Sequence, residues 1–114
     1  MVRTATALLL RLFTAEVGSE TVDVRDRGTI DLKTFECRDI NRSSLTQRVC
    51  YDKAQSHMII SIKGVYDQYC ELPTQTFDGL MAAPSMGQFF NRNIRGPGPD
   101  GPYQCRTHRN SNHQ

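Results

Sequence analysis

The stretch Ala83–Arg95, which reads APSMGQFFNRNIR, is the most informative part of this 114-residue chain. Ser85 follows a proline and stands three residues before Gln88, which is the capping-box pattern of a helix N-terminus. Two arginines fall in the last turns, where positive charge suits the helix dipole. The apolar residues after the cap are Met86, Phe89, Phe90 and Ile94. We therefore predict a short helix that starts at Ser85 and packs its apolar face on a core.

A second helix is predicted immediately before this stretch. Phe77, Leu80 and Met81 are spaced i, i+3 and i+4, which is typical of one helical face. Thr74 can cap this helix, and Pro84 ends it because the residue before a proline is pushed out of helical space.

A β-hairpin precedes both helices. His57–Lys63 reads HMIISIK and Val65–Cys70 reads VYDQYC, with Gly64 between them, which suits a tight turn at Lys63-Gly64. In that register the facing pairs are Ile62 with Val65, Ile60 with Asp67, and Met58 with Tyr69. The opposite face then carries Ile59, Ser61, Tyr66, Gln68 and Cys70.

The fold class expected from these elements is α+β. Leu45–Tyr51 is a further strand, and Thr29–Cys37 adds a possible fourth. We predict a three- to four-stranded antiparallel meander with two short C-terminal helices packed on one face. The residues expected to meet across that interface are Met58, Ile60, Ile62 and Val65 of the sheet and Phe77, Leu80, Met81, Phe90 and Ile94 of the helices.

The chain is expected to hold one domain, at residues 29–95, between two segments that do not contribute to it. Residues 1–28 are interpreted as a flexible N-terminal segment. Its first part, MVRTATALLLRLF, fits either a loosely structured terminus or a degraded signal peptide. Residues 96–114 are rich in Gly, Pro and polar residues and are predicted to be a disordered tail.

The cysteine pattern favours a disulfide at Cys37. Cys50 and Cys70 would flank the same central strand, about 10 Å apart, or two inter-strand spacings. A disulfide requires Cα atoms within about 7 Å, so Cys50–Cys70 is disfavoured. We expect Cys37 to pair with Cys50 or with Cys70, with Cys50 as the first candidate, and Cys105 to remain with one other thiol.

The C-terminal half of the chain resembles the KTSC family, a small bacterial domain also found at the C-terminus of some lysyl-tRNA synthetases. The resemblance covers roughly residues 43–95. The family pattern is matched at Ala83, Ser85, Gly87, Phe89, Phe90, Asn91, Ile94 and Arg95, and also at Ser44, Tyr51-Asp52 and Leu72-Pro73. The family's paired tyrosines fall on Asp67-Gln68-Tyr69, so one of them is absent here, with Tyr66 one place earlier on the opposite face. The cysteines lie outside the general pattern and mark a divergent member.

Several classes of function are disfavoured by the composition. The net charge is only +2 and no segment is densely basic, unlike a strong phosphate-backbone binder. The domain's single histidine, His57, has no recognisable nucleophile spacing around it, so we expect a protein that is not an enzyme and needs no cofactor. The spacing Cys105-x-x-His108-x4-His113 offers only three ligands, and no metal site is expected.

Two hypotheses of function remain. The resemblance to a synthetase domain implies binding of RNA or single-stranded nucleic acid, in which tyrosines stack on bases and cations hold phosphates. The residues expected to do so are Tyr66, Tyr69, Lys63, Arg92 and Arg95. The alternative is an exported, periplasmic domain that contains disulfides and contacts another protein. Either protein would be a monomer without a membrane span, placed in the cytoplasm or in the periplasm or medium of a bacterium.

Overall fold

The computed structural model describes residues 20–96 and 101–105, which form a six-stranded mixed sheet with helices on one face. The strands are β1 (Thr21–Val24), β2 (Gly28–Asp31), β3 (Glu36–Asp39), β4 (Thr46–Asp52), β5 (His57–Ile62) and β6 (Val65–Tyr69). The helices are α1 (Thr74–Ala82) and α2 (Met86–Phe89), and α2 continues into a π-helical segment, Phe90–Arg95. The α+β class is confirmed, but the sheet is larger than the predicted three or four strands and is not purely antiparallel.

The additional strands come from an N-terminal hairpin, β1–β2, which sequence reasoning missed. Residues 1–28 were expected to be a flexible segment, and this is wrong for residues 21–28, which carry β1 and the turn into β2. The turn needs left-handed backbone, supplied by Asp26 at φ 65° and Gly28 at φ 89°. The strand predicted at Thr29–Cys37 is in fact divided between β2 and β3. Residues 1–19 lie outside the described residues, so both interpretations of that segment stay open.

The sheet is curled rather than flat. Its order is β2-β1-β6-β5-β4-β3, so β2 and β3 lie at opposite edges although only residues 32–35 connect them. A flat sheet would separate those edges by about 24 Å, which is five inter-strand spacings. The connection can span only about 17 Å when fully extended. The sheet must therefore bend until its two edges approach each other.

The predicted β5–β6 hairpin is confirmed in register. Ile62 pairs with Val65, and Met58 pairs with Tyr69 at the far end. Lys63 at φ 51° and Gly64 at φ 86° form the turn, with two positive φ values as the tight hairpin turn requires. β4 pairs with β5 and β3 pairs with β4, both antiparallel, so this part of the sheet is the expected meander.

The main core lies between the sheet and the helices. It contains Val49, Tyr51, Met58, Ile60, Tyr69, Leu72, Phe77, Leu80, Met86, Phe90 and Ile94. Most of the predicted contacts are present, with Ile62 and Met81 packed at the margin. Val65 is the exception, because it lies at the tip of the hairpin and is 42% exposed. The predicted cap at Thr74 is also wrong: Pro73 precedes the helix and no side chain caps it.

A second, smaller core fills the concave face of the sheet, beneath the N-terminal hairpin. Its buried members are Val24, Leu32, Cys50 and Ile59, and Val22, Ile30, Phe35, Cys37 and Tyr66 pack around them. Leu32 is 5% exposed and lies in the short connection that crosses this face. The curl of the sheet thus gives a chain of modest apolar content two buried faces.

The tail is partly ordered. Residues 96–114 were expected to be disordered, but Gly101–Cys105, which we call the C-terminal strap, lies against the outer edge of β6. Gln104 forms an antiparallel bridge with Tyr69, and the Cys70 N–H donates to the carbonyl of Tyr103 over 2.8 Å. The prediction failed here because a disulfide ties this polar segment to the sheet. Residues 97–100 and 106–114 lie outside the described residues.

Candidate binding surface

Tyr69, a candidate for base stacking, is placed in the main core. Tyr69 is only 7% exposed. Its ring contacts the Phe90 ring edge-to-face, with 5.7 Å between the two ring centroids. Burial, and then the neighbouring Asp67 carboxylate, raise the pKa of the Tyr69 hydroxyl, while Arg95 opposes them. The ring therefore offers no open face to a base.

Tyr66 points to the opposite face of the sheet and is half-buried in the second core. Its hydroxyl lies 3.5 Å from Nη1 of Arg48. The same guanidinium donates to both carboxylate oxygens of Glu20, at 2.6 and 2.8 Å, and holds the pKa of Glu20 below its ordinary value. Since β4 and β1 would lie about 14 Å apart in a flat sheet, this contact is a consequence of the curl. The N-terminal hairpin thus covers Tyr66.

The three candidate cations are exposed but do not form one cluster. Lys63 is at the tip of the β5–β6 hairpin, whereas Arg92 and Arg95 lie on the π-helical segment. Arg95 acts on the Tyr69 hydroxyl at the far end of β6, about 13 Å along the strand from the hairpin tip that carries Lys63. Lys63 therefore belongs to another part of the surface than Arg95.

The residues of the family motif have structural roles in this chain. The Ser85 Oγ accepts the Gln88 N–H at 3.3 Å, as the cap predicts, and the Ala83 carbonyl accepts a hydrogen bond from Arg42 at 2.8 Å. Phe90 and Ile94 are buried in the main core. Asn91 accepts from Arg95 at 3.4 Å. The motif thus explains how the helices join and dock on the sheet.

The close approach between helices occurs at a glycine outside the motif. A Cβ on Gly79 would come within 2.7 Å of the Phe89 ring, so Phe89 lies directly over α1. A Cβ on Gly87 would meet only Leu45, at an ordinary 3.5 Å. Phe89 is therefore a half-buried aromatic that clamps α1, and its ring is not offered to a ligand.

Both disulfides form, and all four cysteines are paired. Cys37 on β3 is bonded to Cys50, its direct cross-strand partner on β4, which is one of the two partners expected for it. Cys70 is bonded to Cys105 of the strap. The expectation that Cys105 and one other thiol remain free is therefore wrong, because the strap returns to the end of β6.

Two segments cover the edge of β6 that faces away from β5, which we call its outer edge. At its start, the Arg25 N–H donates to the Tyr66 carbonyl and the Arg25 guanidinium forms a two-point ion pair with Asp67, at 2.7 and 2.8 Å. At its end lies the strap. An uncovered edge would present a row of unpaired backbone groups, which invites pairing with another chain.

A buried carboxylate, Asp52, borders a shallow groove between β4 and the connection before β3. Burial disfavours its charge, but hydrogen bonds from the Thr34 hydroxyl and from the Gln55 backbone and side chain outweigh burial and hold the pKa of Asp52 below its ordinary value. Because these partners occupy its oxygens, Asp52 stabilises this loop and is not poised as a base.

Within residues 20–96 and 101–105, no group of three or more metal-binding side chains occurs.

Comparisons with known proteins agree on one family. Residues 42–97 match the family model described as the KTSC domain. The crystal structure of a KTSC domain protein from Yersinia pestis superposes with a TM-score of 0.51 at 25% sequence identity, covering 54% of this chain and 87% of that one. No curated protein matches the chain. In the described part of the chain, no helix is long and apolar enough to cross a membrane.

Proposed function

This chain belongs to the KTSC domain family through residues 42–97, and from that premise we propose that it is a non-enzymatic binding domain that contacts another protein in an oxidising compartment outside the cytoplasm. The observation that carries the proposal is the pairing of all four cysteines in two disulfides. Disulfides persist in exported proteins and are rare where glutathione and thioredoxin keep thiols reduced.

The position of the disulfides supports the same proposal. Cys37 and Cys105 both lie outside the residues matched by the family, and each is bonded to a cysteine within them. The disulfides therefore fasten this chain's additional segments to the domain. Small domains with limited cores are the ones that gain most from such covalent links.

The test is the thiol state of the cysteines in the native host. Cells are quenched in acid, free thiols are alkylated during lysis, and the intact protein is weighed. The proposal predicts no alkylated cysteine, with a Cys37→Ser variant as the control that carries a label on its unpaired thiol. Four alkylated cysteines in the unmodified protein would overturn the proposal.

A second candidate is binding of RNA or single-stranded nucleic acid, which the exposed pair Arg92 and Arg95 favours. With Tyr69 buried and Tyr66 covered, such binding would rest on phosphate contacts and would weaken steeply with salt. Fluorescence anisotropy of labelled tRNA and of a single-stranded RNA, at low and physiological salt, tests it. Saturable binding that is lost in Arg92→Ala and Arg95→Ala supports this candidate, and no binding at low salt removes it.

A further inference from the structure

The C-terminal strap identifies a binding site on the domain that it covers. Within residues 42–97, which are the family domain, the outer edge of β6 has no neighbouring strand. Both segments that cover it here, β1 and the strap, lie outside those residues. The strap reaches the end of the edge between Gln68 and Cys70, where it bridges Tyr69, accepts the Cys70 N–H and approaches the Gln68 carbonyl.

The way in which the strap is seated shows what kind of ligand this edge accepts. The strap runs antiparallel to β6 and uses backbone hydrogen bonds, which is how an extended peptide adds to a sheet edge. Tyr103 packs its half-buried ring against the main core beside the sheet. Gly101 is buried against the backbone of Arg95, and a Cβ there would collide with the Arg95 carbonyl oxygen. The seat thus fits an extended segment with a small residue followed, two positions later, by an aromatic one.

The backbone pairing between the strap and β6 is short. One bridge pair, one backbone hydrogen bond to β6 and a 3.5 Å contact from the Cys105 Sγ to the Gln68 carbonyl join it to the edge. By contrast, the Cys37–Cys50 disulfide links strands that also share a ladder of four residue pairs. Reduction would leave that ladder in place, whereas it would remove the covalent attachment of the strap.

We propose that the edge of β6 from Gln68 to Cys70 is a binding site for an extended peptide that carries an aromatic residue, that the strap occupies it in the oxidised protein, and that a dithiol reductant opens it. The proposal rests on the function proposed above and deepens it: in the oxidising compartment the strap keeps this surface covered, and the protein contact is made where a reductant cleaves Cys70–Cys105. A thiolate of the reductant attacks the half-exposed Cys105 sulfur, and Cys70 leaves as a thiolate and takes up a proton. The second thiol of the reductant then resolves the mixed disulfide, so Cys70 and Cys105 end as two thiols and the reductant as a disulfide.

The test uses a labelled peptide with the sequence of residues 100–106, DGPYQCR, in which Cys105 is replaced by Ser. It is titrated into the full-length oxidised protein and into a Cys70→Ser/Cys105→Ser variant that also carries Gly101→Val to displace the strap. A Cys37→Ser/Cys50→Ser variant, which keeps the strap, is the matched control, and circular dichroism establishes that each variant is folded. Saturable binding to the strap-released variant alone is expected, weakened at least tenfold when the peptide's tyrosine is replaced by Ala.

Three results would overturn the proposal. Equal binding to the oxidised protein would place the peptide elsewhere, and no binding to the folded, strap-released variant would show that the edge is not a site. Dimerisation of that variant that excludes the peptide would assign the edge to a second copy of the chain.

A second readout is exchange of the Cys70 amide hydrogen, which we expect to be slow in the oxidised protein, fast in the released variant and slow again with peptide. These measurements use purified protein, so their failure is separate from that of the compartment, which the thiol state in the host decides.

Discussion

Among residues 20–96 and 101–105, the helix-covered face of the sheet buries eleven residues, and the concave face beneath the N-terminal hairpin buries four. The first face is built almost entirely within residues 42–97, whereas the second needs Val24 and Leu32 from the segment before them. The large face carries the family fold, and the small one is this chain's own addition. The added segments therefore contribute to the smaller core and supply no buried member of the main one.

The largest loss of stability is expected when a large side chain is removed from the main core. Phe90→Ala removes a ring that is 2% exposed and contacts Tyr69, and it should lower the free energy of unfolding by about 3–5 kcal/mol. Urea denaturation followed by circular dichroism measures it. Phe89→Ala, whose ring is half-buried, is the control and should cost less. An unchanged midpoint for Phe90→Ala would contradict the assignment of this face as the main core.

Removing the disulfide that closes the shorter loop should lower the free energy of unfolding more than removing the one that closes the longer loop. Cys37→Ser/Cys50→Ser should cost about 3 kcal/mol, since both strands stay paired while the unfolded chain is freed. Loop length alone would make Cys70→Ser/Cys105→Ser cost about 4 kcal/mol. If the strap detaches, the folded state also gains freedom and the loss is smaller than for the first pair. A larger loss for the second pair in urea denaturation would mean that the strap stays seated without its disulfide.

A smaller effect is expected in the concave core. Leu32→Ala should destabilise the protein by about 2 kcal/mol, the low end for a buried leucine, because few neighbours surround the cavity. Thermal unfolding is the measurement, and Val65→Ala at the exposed hairpin tip is a control with little expected effect. A loss as large as that of Phe90→Ala would show that the concave core is as important as the main one.

The smallest effect is expected from pH, and it concerns the connection that crosses the concave face. The pKa of Asp52 is lowered in the folded state, so its contribution to stability is complete above the unfolded value near 3.8 and is lost as the pH falls through the folded value. The stability difference between the protein and Asp52→Asn should therefore be largest at neutral pH and shrink below about pH 4. Urea midpoints between pH 7 and pH 3 test this, with exposed Asp78→Asn as the control. A difference that is independent of pH would contradict the charge-stabilising role of Thr34 and Gln55.

Local patterns predicted the family domain well. The alternation in HMIISIK and the single Gly64 were enough for the exact β5–β6 register, and the Ser85 cap and the apolar spacing placed the helices. These features depend on residues close in sequence, so propensity and periodicity report them directly. For the candidate site, the same patterns located exposed Arg92 and Arg95, and the hairpin register already placed Tyr69 opposite the core residue Met58, on the face that is buried.

The parts that were missed depend on contacts distant in sequence. The hairpin residues TVDV and GTID do alternate, but their strands are short and carry charges on the solvent side, which resembles a linker. The strap is ordered only because Cys105 finds Cys70, which stands 35 residues earlier. Neither the curl of the sheet nor this return of the chain produces a periodic pattern in the sequence. The turn of the N-terminal hairpin did leave a signal, because Asp26 and Gly28 are residue types that accept positive φ.

Native-state hydrogen exchange across the six strands tests the contrast between the two faces most directly. Amides of β5, which lies between β4 and β6 beneath the helices, should exchange only through global unfolding. Amides of β1 and β2 should exchange faster, through a partial opening that leaves β4, β5 and β6 protected. Exchange of all six strands with one common free energy would contradict the division into a main domain and an added, separately opening layer.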